Sequence, residues 1–85
     1  MPSYLVEMYV PLAHAGEADA AGRRARIAAD EMSRRGVPIR LVRTTVLPDD
    51  ETCFHLVEAL SQGEVGELCR LAGLGHVRIV PAVET

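Results

Sequence analysis

A carboxylate and an imidazole, Glu7 and His55, stand in two stretches that otherwise read as apolar β-strands. Strand side chains alternate between faces with period two, and on that reading Glu7 and His55 are expected on one face of a shared sheet. On neighbouring strands their Cβ atoms would lie about 4.5–5.5 Å apart, or about 7–8 Å on the diagonal. Such spacing suits a shared metal ion, a shared water or direct proton transfer, or else a buried polar pair that fixes register. Arg43 and Arg78 are expected to face the same way, where they would neutralise Glu7 or hold an anionic ligand through bidentate hydrogen bonds. Tyr9 adds a hydroxyl to the same wall. His14, in the loop after the first strand, is a candidate third ligand, since imidazole and carboxylate together suit nickel, zinc or copper.

Other candidates carry less. No HxH or HExxH spacing pre-organises two of the three histidines. His76 at the start of the last strand and Glu58 near the end of the third read as ordinary strand-end residues. Ser61 heads Ser61-Gln62-Gly63-Glu64, a capping box, which gives its hydroxyl a structural task rather than a nucleophilic one. Cys53 and Cys69 form no CxxC and read as free, partly buried thiols.

The elements that must position these residues follow from period and punctuation. Tyr4–Val10 alternates as a strand and stops at Pro11, which has no N–H for a ladder. Ala18, Ala21, Ala25, Ala28 and Met32 make the apolar stripe of a helix over 17–35. Early acids and late arginines match its dipole, and Gly36 and Pro38 end it. Ile39–Leu47 and Thr52–Ala59 read as a hairpin around a Pro48-Asp49-Asp50-Glu51 turn. Ser61 opens a second helix with a Val65, Leu68, Cys69, Ala72 stripe that Gly73 closes, and 76–83 is the last strand. In β-strand parity, Val6, Met8, Val42, Val46, Phe54, Leu56, Val77 and Ile79 are expected beneath the helices. Leu5, Glu7, Tyr9, Leu41, Arg43, Thr45, Cys53, His55, Arg78 and Val80 are expected on the other face.

The order βαββαβ with right-handed crossovers specifies an α+β, ferredoxin-like split βαβ fold. It has a four-stranded antiparallel sheet, both helices on one side, and strands one and three at its centre. One domain spans 1–85. A chain this short buries only about 60–65% of its unfolded surface, so the mixed open face is expected to be covered by a second copy, giving a homodimeric α+β barrel or sandwich with a cavity between. The net charge of −3 and the absence of an Arg-aromatic groove argue against nucleic acid as a partner. The nine basic residues are all Arg, which excludes Schiff-base lysine chemistry. No membrane-length apolar run and no signal-peptide pattern is read, so the cytoplasm is the expected location.

The opening Met1-Pro2-Ser3-Tyr4-Leu5-Val6-Glu7 resembles the start of a family of small bacterial proteins still named as a domain of unknown function, typified by a nickel-binding, dimeric ferredoxin-like protein. The stretch from Cys53 to Ser61 resembles that family's third strand and the beginning of its second helix, and Gly73-Leu74 and the Ile79 strand match in spacing. Glu7 and Glu58 match acids of the family. His55 stands where the family usually shows Cys, Val57 where an aromatic is usual, and 39–43 lacks the family's Trp. The resemblance implies a metal-binding dimer, with nickel as the ion.

Two functional readings follow. One is a cytoplasmic binder of a divalent metal, with Glu7, His55 and His14 as ligands, or of a small ligand held by Tyr9, Arg43 and Arg78 on the open face. The other is a cofactor-free isomerase or cyclase acting on a small carbonyl compound, with His55 or Glu7 moving a proton and Arg43 or Tyr9 stabilising an oxyanion.

Overall fold

The computed structural model describes residues 1–83 and 85. Strand β1 (Ser3–Tyr9) leads through a single 3-10 turn at Leu12–His14 into helix α1 (Gly16–Arg34). Strands β2 (Ile39–Leu47) and β3 (Thr52–Ala59) form a hairpin around a second 3-10 turn, and helix α2 (Gln62–Ala72) and strand β4 (Arg78–Ala82) follow. The sheet is antiparallel in the order β2-β3-β1-β4. This is the ferredoxin-like arrangement, with β1 and β3 central.

The helices form for the reasons read from the sequence. Helix α1 buries Ala18, Ala21, Ala25, Ala28, Ala29 and Met32. Small side chains let it lie close to the sheet, and at Gly22 an added Cβ would come within 3.0 Å of the Thr44 hydroxyl. Helix α2 is capped by Ser61, whose hydroxyl accepts the Glu64 backbone N–H at 3.3 Å. The Glu64 carboxylate accepts from that same hydroxyl. Gly73 ends the helix in the left-handed conformation, φ +63°, a region open to glycine at no steric cost.

The two outer strands also differ in detail from the alternation. Strand β4 starts at Arg78, so His76 precedes it. Strand β2 carries a bulge: Leu41 pairs with Val57 and Arg43 with Leu56, leaving Val42 as an extra residue. Before the bulge Ile39 and Leu41 point under the helices, and after it Thr44 and Val46 share the faces of His55 and Cys53. Leu41, expected on the open face beside Arg43, is therefore buried in the core. Without the extra residue the parity of Leu41 would carry Arg43 beneath the helices, a burial that an unpaired guanidinium resists.

At the hairpin tip Glu51 is the one non-glycine with positive φ among the described residues, at +50°. Its carboxylate accepts the Leu12 backbone N–H at 2.7 Å, and its carbonyl accepts the Val10 N–H at 2.9 Å. The hairpin turn thereby ties down the chain leaving β1. Replacing Glu51 by Ala is expected to lower the unfolding free energy by about 1 kcal/mol, and Glu51→Gln, which retains an acceptor, by roughly half that or less. Urea denaturation of both variants measures the difference.

Candidate functional site

The central ladder separates the two residues that the alternation pairs. Glu7 lies opposite Phe54, and His55 lies opposite Val6. Val6 is fully buried beneath the helices, whereas Glu7 pairs on its other side with exposed Arg78. Glu7 and His55 therefore project from opposite faces and share neither an ion nor a proton. The parity of β1 is as expected and that of β3 is reversed: Cys53, His55, Val57 and Ala59 face the core, and Phe54, Leu56 and Glu58 face outward. His14 is exposed in its 3-10 turn and makes no side-chain hydrogen bond with either residue, so it completes no common ligand set. Among the described residues there is no cluster of three or more His, Cys, Asp or Glu side chains able to hold a metal.

Three of the expected site residues do come together. Glu7, Tyr9 and Arg78 line one open cleft of about 660 Å³ with Met8, Thr52, Leu74 and His76. It lies where β1 ends, β3 begins and the α2–β4 loop delivers β4. Glu7 Oε1 and the Arg78 guanidinium are 3.7 Å apart, and both side chains are substantially exposed. An exposed pair of this kind stabilises the fold by no more than about 1 kcal/mol, so both groups remain available to a ligand. Tyr9 leans toward Glu51, whose carboxylate accepts from its hydroxyl at 3.5 Å. Arg43 stands apart, on edge strand β2 opposite Leu56, and has no ion-pair partner among the described residues. His76 is the cleft residue that sequence reasoning set aside. Its signal was the loop Gly73-Leu74-Gly75, whose Gly73 and Gly75 both take positive φ and bring His76 back toward the end of β1.

A second polar centre sits on the other side of the sheet. His55 is fully buried. Its Nδ1 lies 2.8 Å from the Thr44 hydroxyl, and its Nε2 lies 3.2 Å from Met8 Sδ and 3.7 Å from Cys53 Sγ. No buried side-chain nitrogen or oxygen lacks a partner among the described residues. Desolvation pushes the imidazole below the ordinary histidine range and the Cys53 thiol above the ordinary thiol range. Both are neutral in the folded chain near pH 7. The remaining thiol, Cys69, is pushed up to about 11 by burial, which makes it a poor nucleophile.

An apolar groove of about 340 Å³ between α1 and α2 is lined by Ile27, Ala28 and Leu71 among others. Its charged rim is occupied by ion pairs of Glu31 with Arg34 and Arg35, and it offers no candidate for proton transfer. No helix among the described residues is long and apolar enough to cross a membrane. Comparison with protein-family models, with curated proteins and with solved structures finds no match.

Burial of neutral His55 has a pH consequence with a definite sign. As pH falls past about 6.5, the unfolded chain takes up a proton on this residue while the folded chain does not. The unfolded state then binds more protons, so stability is complete above that pH and declines as pH drops toward the lower folded-state value. Urea midpoints measured from about pH 7.5 down to about pH 5 are expected to show this decline. His55→Gln is expected to flatten it, and an unchanged slope in that variant counts against the assignment.

Proposed function

We propose that this chain binds a small carboxylate- or carbonyl-bearing molecule in the open cleft at the end of the sheet. The observation that carries this reading is the convergence of Glu7, Tyr9, His76 and Arg78 on one cleft. Arg78 supplies the planar fork that suits a carboxylate. Tyr9 and Thr52 supply hydroxyls, and Leu74 and Met8 supply an apolar wall. His76 and Glu7 are the acid–base pair of the cleft. They take the place of the expected His55 and Glu7, and they support the isomerase reading for a ligand with an acidic C–H beside its carbonyl. A nickel reading stands as the second proposal: Glu7 would give an oxygen and His76 a nitrogen, with no third His, Cys, Asp or Glu among the residues lining the cleft to complete the set. A cytoplasmic setting, with Cys53 and Cys69 kept as thiols, accords with either reading.

A screen of small carboxylates and carbonyl compounds by thermal shift, followed by NMR titration, tests the proposal. A saturable ligand is expected to perturb amides at the end of β1 and the start of β4, and Arg78→Ala is expected to weaken it at least about tenfold. Ligands that bind equally well to Arg78→Ala and His76→Ala defeat the reading. Under the nickel reading, Ni²⁺ binding is lost in both Glu7→Gln and His76→Ala.

The helix-free face supports self-association as part of this function. Leu5, Phe54, Leu56 and Val80 form its apolar centre, with the Arg40–Glu58 and Arg78–Glu7 pairs toward its edges. A second copy laid on this strip would pair arginines with carboxylates across the interface, and a stable dimer would bury roughly 800 Å² on each partner. Light scattering after gel filtration is expected to give twice the 9.2 kDa chain mass. Val80→Glu is expected to return the monomer, and a monomeric parent chain removes this part of the proposal.

A further inference from the structure

We propose that Met8, Cys53 and His55 form a buried binding site for one monovalent soft metal ion, Cu(I). Three donor atoms converge here: His55 Nε2 lies 3.2 Å from Met8 Sδ and 3.7 Å from Cys53 Sγ. A metal with bonds of about 2.0 Å to nitrogen and about 2.3 Å to sulfur holds such donors about 3.3–3.7 Å apart at angles of about 100–120°. The two nitrogen–sulfur separations, 3.2 and 3.7 Å, thus lie close to those of a bridged ion. Backbone pairing brings the three side chains onto one sheet face, and their rotamers set the separations. Met8 is directly opposite Cys53, and His55 is two residues along the same strand face.

The chemistry selects the ion. Thioether, thiolate and imidazole are soft to borderline donors that favour Cu(I) over hard cations. Charge points the same way. When Cys53 binds, its S–H bond breaks, the proton leaves to solvent and an Sγ–Cu bond forms, with copper remaining in the +1 state. One thiolate and one Cu(I) make a neutral centre, which can remain in a core where both Cys53 and His55 are fully buried. A divalent ion in the same place would leave a net positive charge, and no carboxylate is within hydrogen-bond reach of the three donors among the described residues. Thr44 acts as a positioning residue. Its hydroxyl, 2.8 Å from His55 Nδ1, can accept the ring proton there and leave the Nε2 lone pair facing the two sulfurs. Access runs past Met8, which is 7% exposed and also lines the open cleft.

The site is independent of a ligand in that cleft and is tested separately. Purified chain is titrated anaerobically with Cu(I) against a chromogenic Cu(I) chelator, and the loaded protein is examined by X-ray absorption at the copper edge. One Cu(I) per chain with mixed nitrogen and sulfur scattering is expected. Removing even an outer partner of a metal costs about 10–100-fold in affinity, so Cys53→Ser and the nearly volume-conserving Met8→Leu are each expected to cost at least tenfold. Cys69→Ser is expected to change nothing. Urea midpoints of Met8→Leu establish that it folds, so that its loss of affinity reports a lost donor. The proposal is overturned if the chelator retains all the copper. It is equally overturned if Cys69→Ser rather than Cys53→Ser abolishes binding, or if Ni²⁺ or Zn²⁺ is held more tightly than Cu(I) at these residues.

Discussion

The register of the central ladder, with Val6 opposite His55 and Glu7 opposite Phe54, is the constraint on which the rest of this molecule depends. A slip of one residue between β1 and β3 would reverse every side chain of one strand relative to the other. It would bring the acid and the imidazole together, but it would also expose Cys53, Val57 and Ala59 and push Phe54 and Glu58 beneath the helices. The observed register instead buries the small and medium side chains under α1, whose alanine stripe leaves little depth to fill. The larger Phe54 and Leu56 then cover the open face. Helix proximity and strand register go together here: Gly22 lets α1 approach Thr44, the cross-strand partner of His55.

Burial of a histidine is tolerable because its neutral ring is supplied on both edges. A buried polar group left without partners costs about 1–3 kcal/mol, and here Thr44 serves Nδ1 while two sulfurs flank Nε2. The Thr44 contact depends in turn on the bulge at Val42, which places Thr44 inward and Arg43 outward in successive positions. One extra residue in β2 therefore solves two problems at once. It keeps a guanidinium in water and turns a hydroxyl toward the imidazole.

Much of the fold was legible because its signals are redundant. The α1 stripe, the Ser61 cap, the Gly36 and Gly73 stops and the Pro48 turn each mark a boundary independently, and their order leaves few topologies. The faces of β1 were legible as well, since Val6 and Met8 alternate with Glu7 and Tyr9. In β3 the alternation fails as a guide. Cys53, Val57 and Ala59 are apolar on one parity and Phe54 and Leu56 on the other, so hydrophobicity does not rank the two faces, and the larger residues bias the reading toward the wrong one. A bulge is invisible to period two by construction, which is why Leu41 was read as a companion of Arg43. Of the candidate site, Glu7, Tyr9 and Arg78 were legible as a group because they follow from the parities of β1 and β4, which the structure keeps. His76 was not, because its place depends on the backbone path through Gly73 and Gly75 rather than on any pattern in the strands.

The corrected geometry divides chemistry between two sides of a single strand. Successive residues Glu7, Met8 and Tyr9 alternate in direction, so an oxygen donor, a sulfur donor and a second oxygen donor are dealt to different environments. The oxygens reach the open cleft, where Arg78 and His76 add charge and proton-exchanging groups in contact with water. The sulfur turns inward to meet Cys53 and His55 in a layer with no formal charge. Hard, solvated groups collect on one side and soft, desolvated ones on the other, which is the segregation that desolvation energetics favour, since a carboxylate resists burial far more than a thioether does. Met8 borders both environments. The position of that flexible, polarizable side chain is thus a direct link between a ligand in the cleft and the buried sulfur–imidazole cluster.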